Sequence, residues 1–169
     1  MQKKITGIVC LVILSALFIL AKTSAIELTV TQRNHIAFNC SSIIDRLKTV
    51  QKADAYMRTY LGDRYDAISA NFVTPFNHRL LSNNFEETDS KSQSTLINEK
   101  KEFSNDFIEY QKALESLINS NICENDQEGF YEMLEGVRAK REIVHQDTLK
   151  MQETIKEHVQ FVNDLKASL

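Results

Sequence analysis

Two cysteines and one glutamate–histidine pair are the residues of this sequence whose types and spacing could do chemistry. Cys40 lies in NCSSIIDRL, among apolar residues at helical spacing, and Cys123 lies in the polar stretch NSNICENDQEG. Glu142 and His145 form an ExxH, the spacing with which di-iron bundles hold metal. The cysteines could form a disulfide, remain two separate thiols, or serve as catalytic or metal-binding thiols.

Metal and catalytic chemistry are poorly supported by the rest of the pattern. A di-iron bundle needs two ExxH pairs and two further glutamates from other helices. Only one ExxH falls on a predicted helix, and residues 41–84 contain no glutamate. The sequence has no CxxC, HExxH, GxSxG or glycine-rich phosphate loop. We therefore predict no enzymatic activity, no catalytic or metal residues, and no cofactor.

The first 25 residues differ in composition from the rest of the chain. MQKK gives a positive start, residues 5–21 are apolar and uncharged, and KTSA follows, ending at Ala25. This arrangement is typical of a secretory signal peptide cleaved after Ala25. The alternative is an uncleaved membrane anchor, although residues 5–21 lie at the short limit for spanning a bilayer. Both interpretations place residues 26–169, a single domain, outside the cytoplasm, because the positive start stays inside.

The net charge indicates which classes of partner are disfavoured. It is -3 for the whole chain, and loss of residues 1–25 removes three lysines and no acidic residue, which leaves -6. This acidic balance disfavours nucleic acid and anionic membranes. We expect an unidentified protein partner at the cell envelope or surface, with membrane contact only through residues 5–21 if they are uncleaved. The pattern does not indicate an oligomeric state.

Long apolar repeats and few breakers predict an all-α fold. The chain has four glycines, one proline and 43% hydrophobic residues, which favours long helices over a turn-rich sheet. Apolar residues recur in alternating steps of three and four in three seams, at 36–68, 96–117 and 130–169. Such spacing keeps one face of a helix against a partner. We predict an elongated, coiled-coil-like bundle of three helices that run up, down and up.

Local signals indicate where these helices begin and where the first is interrupted. Candidate caps precede each helix: Thr29 or Thr31, Ser92 or Ser94, and Asn125 or Asp126. Thr74–Pro75 should break or kink the first helix, because proline has no N–H donor and crowds the preceding turn. Polar connectors at residues 82–94 and 119–129 separate the three helices.

This topology brings the two mature cysteines together. Cys40 lies near the start of the first helix on its apolar stripe, and Cys123 lies just past the end of the second. If the second helix runs back antiparallel, its end returns to the start of the first. An even pair of cysteines in an exported chain indicates a disulfide. We predict a Cys40–Cys123 bridge, with two separate thiols as the alternative.

Polar residues within the seams could fix the register of the bundle. They are Asp54, Arg64, Lys100, Arg141, Thr148 and His158. When Cys40 and Gln127 are set level, Asp54 and Arg141 both stand about 21 Å along, at about 1.5 Å per residue. We predict that these two residues form a buried polar pair across the bundle. Alternatively, Asp54 pairs with Arg58 one turn away on its own helix.

Aromatic and cationic residues cluster near Gly62 in the first predicted helix. They are Tyr56, Arg58, Tyr60, Arg64 and Tyr65. Aromatic residues and arginine are enriched at protein interfaces, so Tyr56, Arg58, Tyr60 and Tyr65 form a candidate interaction surface. The alternative is that these side chains flank the core and pack against the other helices.

Several short segments carry a resemblance to other proteins. They are TVTQRNHI, NCSSI, the DAYMR–LGDRYDAIS–PFNHRLLSN succession, Phe107-x-x-Tyr110, Cys123, Phe130-Tyr131, and the later Arg138 and Arg141. Together they resemble a group of small exported helical proteins from candidate-phylum bacteria, over nearly all of residues 28–145. The most specific part is NCSSI with a second cysteine before an FY pair. The resemblance implies bacterial export and favours the Cys40–Cys123 pairing, and it implies no activity.

Overall fold

The structure, a computed structural model, describes residues 27–83 and 90–168. Every regular element of these residues is helical, which confirms the predicted all-α class and the helical bundle. The predicted signal or anchor segment, residues 1–25, lies outside the described residues. Within the described ranges, no helix is long and apolar enough to cross a membrane.

Six helical elements follow one another in the described residues. They are α1 (Val30–Phe38), α2 (Cys40–Ile68), a π-helical segment (Ser69–Val73), α3 (Thr74–Ser82), α4 (Ser90–Asn119) and α5 (Gln127–Ser168). The last of these has 42 residues and extends about 63 Å at about 1.5 Å per residue. The packing between α4 and α5 is the most extensive in the fold, and α2 lies against α4.

Two of the predicted helix caps are confirmed and one pair is wrong. Thr29 caps α1, because its Oγ1 accepts from the backbone N–H three residues later at 3.3 Å. Asp126 caps α5 in the same way, with its Oδ1 2.9 Å from the N–H of the third residue along. Ser92 and Ser94 are not caps, because α4 already begins at Ser90 and contains both.

The first predicted helix is divided at two places. At Asn39 the backbone leaves the helical region, and the side-chain amide donates to the carbonyl of His35 at 2.8 Å, in competition with the helix ladder. At Ser69–Val73 the helix widens into a π segment directly before Pro75. Proline cannot donate a ladder hydrogen bond and crowds the preceding turn, and a π segment relieves both constraints. The chain therefore stays helical through Pro75.

The contacts between neighbouring helices run in opposite order along their sequences. They are Arg58–Ser104 and Asp54–Tyr110 between α2 and α4, and Thr154–Glu99 and Lys150–Glu102 between α4 and α5. Because one residue number rises as the other falls, α4 is antiparallel to both α2 and α5.

The three apolar seams are covered to different extents. Every apolar member of the seam on α4 is buried: Leu96, Phe103, Phe107, Tyr110, Leu114 and Leu117. On α2, by contrast, only Cys40 and Tyr65 are buried, and Met57 is 47% exposed. One flank of α2 is therefore open, although its other flank lies against α4.

Cys40 and Cys123 form the predicted disulfide. Their Cα atoms are 5.7 Å apart, and the bridge joins residues separated by 83 positions in the sequence. Both cysteines belong to a buried cluster that also contains Phe107, Leu117 and Phe130. The bridge thus ties the start of α2 to the connector between α4 and α5.

Removing the bridge should destabilise the fold strongly. In a Cys40→Ala/Cys123→Ala variant the unfolded chain is no longer constrained by a long closed loop, so the free energy of unfolding should fall by about 4 kcal/mol. Urea unfolding followed by circular dichroism measures this change. Reductant should lower the urea midpoint of the native protein toward that of the variant, and the urea midpoint of the variant should not change. An unchanged urea midpoint of the native protein in the presence of reductant would contradict the prediction.

Candidate functional site

An open groove of about 470 Å³ lies between α2 and α5, and we call it the α2–α5 groove. Its floor consists of the aromatic side chains of Phe103, Phe107 and Tyr110 on α4. One wall consists of Asp54, Met57, Arg58 and Leu61 on α2, and the other of Arg138, Arg141, Glu142, Val144, His145 and Thr148 on α5. The open flank of α2 thus forms one wall of a concave surface.

A three-residue polar contact closes one end of this groove. Arg141 on α5 donates from Nε to Oδ2 of Asp54 at 2.8 Å and from Nη2 to Oδ1 at 2.9 Å. The hydroxyl of Tyr110 on α4 donates to the same Oδ2 at 2.6 Å. A bidentate arginine–carboxylate pair is the most directional kind of ion pair. One carboxylate on α2 therefore connects all three long helices.

The electrostatics of this contact favour an ionised Asp54. Burial alone would raise the pKa of Asp54, but the hydrogen bonds from Arg141 and Tyr110, together with the Arg141 charge, outweigh it and hold the pKa below its ordinary value. The pKa of the Tyr110 hydroxyl is strongly raised, first by burial and then by its hydrogen bond to Asp54. Asp54 is therefore an acceptor and Tyr110 a donor at neutral pH.

The prediction for Asp54 and Arg141 needs one correction. The two side chains meet across the bundle, but the contact is not buried, because 57% of the Arg141 side chain is exposed against 16% for Asp54. Arg141 reaches Asp54 from the solvent side of the groove. The alternative partner, Arg58, instead donates to Ser104 Oγ at 3.2 Å. Its guanidinium carbon lies 5.3 Å from the centroid of the Phe107 ring.

The candidate interaction surface on α2 is only partly a surface. Tyr65 is 5% exposed and belongs to a buried cluster with Val73 and Met151, so its assignment to that surface is wrong. Eleven residues separate it from Asp54, which leaves it on the same inward face of the helix. Tyr56 is 71% exposed. Tyr60 is also exposed, and the guanidinium of Arg64 lies over its ring.

The residues of the ExxH motif lie on the rim of the groove. The carboxylate of Glu142 accepts from the side chain of Gln146 at 2.6 Å, and His145 is exposed. In the part of the chain that the structure describes, no three histidine, cysteine or acidic side chains are arranged to hold a metal ion.

Comparisons with known proteins found no match. Neither the family models, nor the curated proteins, nor the solved structures contain one for this chain.

A second polar contact, which the sequence does not predict, joins α4 and α5. Asp147 on α5 is 2% exposed, and its Oδ1 accepts from Lys150 at 2.9 Å. Its Oδ2 has no donor among the described residues. The neighbouring carboxyl of Asp106 on α4 has a raised pKa, first because of partial burial and then because it faces Asp147. Protonation of Asp106 would supply the donor that Oδ2 of Asp147 lacks.

Two aromatic residues of the groove also have roles that the seam pattern does not reveal. Tyr110 was assigned to the apolar seam of α4, and Phe107 likewise. A buried tyrosine hydroxyl requires a hydrogen-bond partner. Applied to Tyr110, this rule could have predicted a polar partner such as Asp54 on the neighbouring helix. No comparable signal in the sequence indicates that Arg58 stacks on Phe107, or that Asp106 faces Asp147.

Removal of the Asp54 charge should weaken the bundle in a pH-dependent way. Asp54→Asn should lower the free energy of unfolding at pH 7 by about 1–2 kcal/mol, because two charge-assisted hydrogen bonds lose their acceptor. The folded pKa of Asp54 lies below its ordinary value of 3.8. Its contribution is therefore fully present above pH 3.8 and is lost as the pH falls through the folded pKa. Urea unfolding at a series of pH values measures the difference.

Asp63→Asn is the matched control, since Asp63 is an exposed aspartate of the same helix. It should leave stability nearly unchanged at every pH. Equal losses in Asp63→Asn and Asp54→Asn would mean that the Asp54 contact contributes nothing specific.

Replacement of Asp106 should raise the free energy of unfolding rather than lower it. Asp106→Asn supplies a permanent amide donor next to Asp147 and removes a facing charge, so the free energy of unfolding at pH 7 should rise by about 1 kcal/mol. Because the folded pKa of Asp106 is raised above 3.8, its stabilising contribution is present in acid and is lost as the pH rises through that pKa. The gain of the variant should therefore shrink in acid. Glu115→Gln, an exposed site on the same helix, is the control, and a destabilised Asp106→Asn protein would refute the assignment.

Proposed function

We propose that this protein is an exported, disulfide-closed bundle of three long helices, running up, down and up, that acts by binding another protein at the cell envelope or surface. The proposal combines three elements: a leader-like segment at residues 1–25, the Cys40–Cys123 bridge, and the α2–α5 groove. The resemblance to small exported bacterial helical proteins supports the same compartment. The antiparallel contacts of α4 with α2 and α5 support the topology.

The composition of the groove and its rim is the observation that carries the binding function. Met57 lies in the wall and is half-exposed, with the exposed tyrosines Tyr56 and Tyr60 close by on the same helix. Arg138 and Arg141 belong to the opposite wall, on α5. Tyrosine, methionine and arginine are the residue types enriched at protein interfaces, and a groove between two helices is a common seat for a partner segment.

The second candidate is a holdase-type chaperone that shelters unfolded exported chains. Large apolar side chains remain exposed outside the groove, which favours this candidate: Phe38, Phe72, Leu81 and Ile97. These residues lie on four different helical elements. A holdase needs a contiguous apolar surface, whereas scattered single side chains are normal on soluble proteins. The groove with its polar rim therefore favours a contact module with a defined partner.

Site-specific crosslinking in the native host tests the proposed function. A photo-crosslinking amino acid at position 57, in the groove wall, should give one defined adduct with an envelope or exported protein, identified by mass spectrometry. The same amino acid at Lys52, an exposed α2 residue that does not line the groove, should not give that adduct. The exported chain should begin at residue 26.

Other outcomes would decide against the proposal. A broad distribution of adducts, together with oligomers in light scattering and suppression of client aggregation, would favour the holdase. An intact chain recovered from the cytoplasm with both thiols free, or identical crosslinking from positions 57 and 52, would refute the contact function.

A further inference from the structure

Arg58 is a cation of the α2–α5 groove with no carboxylate partner among the described residues. One of its terminal nitrogens donates to Ser104 Oγ at 3.2 Å, and its guanidinium lies over the ring of Phe107. A guanidinium has five N–H donors, so most of its hydrogen-bonding capacity remains available. Stacking on an aromatic ring also restricts the orientation of the guanidinium, which reduces the entropy lost when it binds a planar anion.

The other arginines of the groove are already paired. Arg141 is neutralised by both oxygens of Asp54, and Arg138 forms an ion pair with Glu135 on its own helix. Glu142 is the remaining carboxylate of the lining, and it accepts a hydrogen bond from Gln146 on the rim. The lining thus carries three arginines against two carboxylates, a positive balance, and Arg58 is the arginine of this lining that has no carboxylate partner.

The dimensions of the groove indicate what kind of chain fits. On α2 its lining extends from Asp54 to Leu61, which is about 10 Å or two helical turns. An amphipathic helix presents anchors at positions i, i+3 or i+4, and i+7 over the same length. The apolar side chains of the lining that remain at least partly exposed to such anchors are Met57 and Leu61 on α2 and Val144 on α5.

Resting on the proposed function, we propose that the α2–α5 groove binds an amphipathic helix of a partner protein that carries a carboxylate on its polar edge. The carboxylate pairs with the stacked guanidinium of Arg58, and the apolar anchors of the helix pack on Met57, Leu61 and Val144. Charge complementarity selects this occupant over a basic helix. It also selects it over nucleic acid and anionic lipid, because the chain without residues 1–25 carries a net charge of -6 and repels polyanions beyond the groove.

A designed peptide pair tests the proposed ligand. The probe is a fluorescein-labelled helical peptide of three heptads with leucine at i, i+3 and i+7 and glutamate beside that stripe. Its twin has glutamine in place of each glutamate. Fluorescence anisotropy should show that the native disulfide-bonded protein binds the glutamate peptide at least tenfold more tightly than its twin. The preference should diminish with added salt, because the rim is exposed to solvent.

Variants of the protein assign the preference to Arg58. Arg58→Gln should remove the preference for glutamate, and Arg58→Lys should restore part of it, because lysine keeps the charge but not the planar stack. Arg46→Gln, at an exposed arginine of α2 outside the groove, should bind both peptides as the native protein does. Far-UV circular dichroism checks that each variant is folded. If Arg58→Gln does not fold, the two-peptide comparison on the native protein still decides the ligand class.

Several results would overturn the proposal. Equal binding of both peptides, or an unchanged preference in Arg58→Gln, would reject the role of the carboxylate. Binding of phosphatidylglycerol vesicles or of single-stranded DNA in place of the peptide would indicate another class of ligand. A dimer in light scattering that the peptide dissociates would indicate that a second copy of this chain occupies the groove. The crosslinking experiment at position 57 separates these failures from failure of the proposed function. A defined adduct there with no preference for glutamate would keep the protein-contact function and reject the acidic helix alone.

Discussion

Asp54 is the point at which a single charge holds three helices. Its carboxylate accepts one hydrogen bond from Tyr110 on α4 and two from Arg141 on α5. Because the Asp54 side chain is mostly buried, its charge is tolerable only while these donors are in place, and a buried charge that loses its partner is strongly destabilising. The rotation and the register of α2 against both neighbours are therefore constrained together.

The disulfide supplies the second fixed point of α2. Cys40 and Asp54 are fourteen residues apart, about 21 Å along the helix. Between them, the half-buried Ile43, Ile44 and Leu47 pack on the buried cluster that contains the disulfide. Past Asp54, α2 remains against α4 through Arg58 and Tyr65, while Met57 faces the groove. The groove thus begins at the Asp54 contact, and further along α2 an ion pair between Asp66 and Lys100 joins the helix to α4 again.

Periodicity and helical rise were sufficient to predict the features that depend on position along an axis. The all-helical class and the buried seam of α4 follow from periodicity. The Cys40–Cys123 bridge follows from an antiparallel second helix, and the meeting of Asp54 with Arg141 follows from counting residues along parallel first and third helices. Such counting has a coarse angular resolution, because an apolar stripe defines a helix face of roughly 100°. Tyr65 does not belong to the exposed surface, because it lies about 140° around the helix from Tyr60 and about 180° from Tyr56, so their closeness in sequence does not place them on one face.

The features that were missed depend on atoms rather than on positions. The π segment before Pro75 reflects local backbone adjustment, and the Tyr110–Asp54 and Asp106–Asp147 contacts depend on side-chain rotamers across two helices. The groove itself was not predicted, because a seam pattern records that a residue is apolar without recording whether a partner helix covers it. Met57 is the apolar member of the α2 seam that the described helices leave exposed.

The arginine at position 58 explains how the bundle can keep this groove open. Arg58 covers the Phe107 ring with its guanidinium and keeps polar donors toward water, so the aromatic floor is shielded without being sealed. An aliphatic residue at 58 could bury the same ring more completely, but it would offer no directional contact to a partner and would add apolar surface to the rim. A stacked guanidinium costs little to displace, since an exposed cation–π contact is worth about 0.5–1 kcal/mol. The same side chain can therefore protect the groove when it is empty and identify the partner when it is filled.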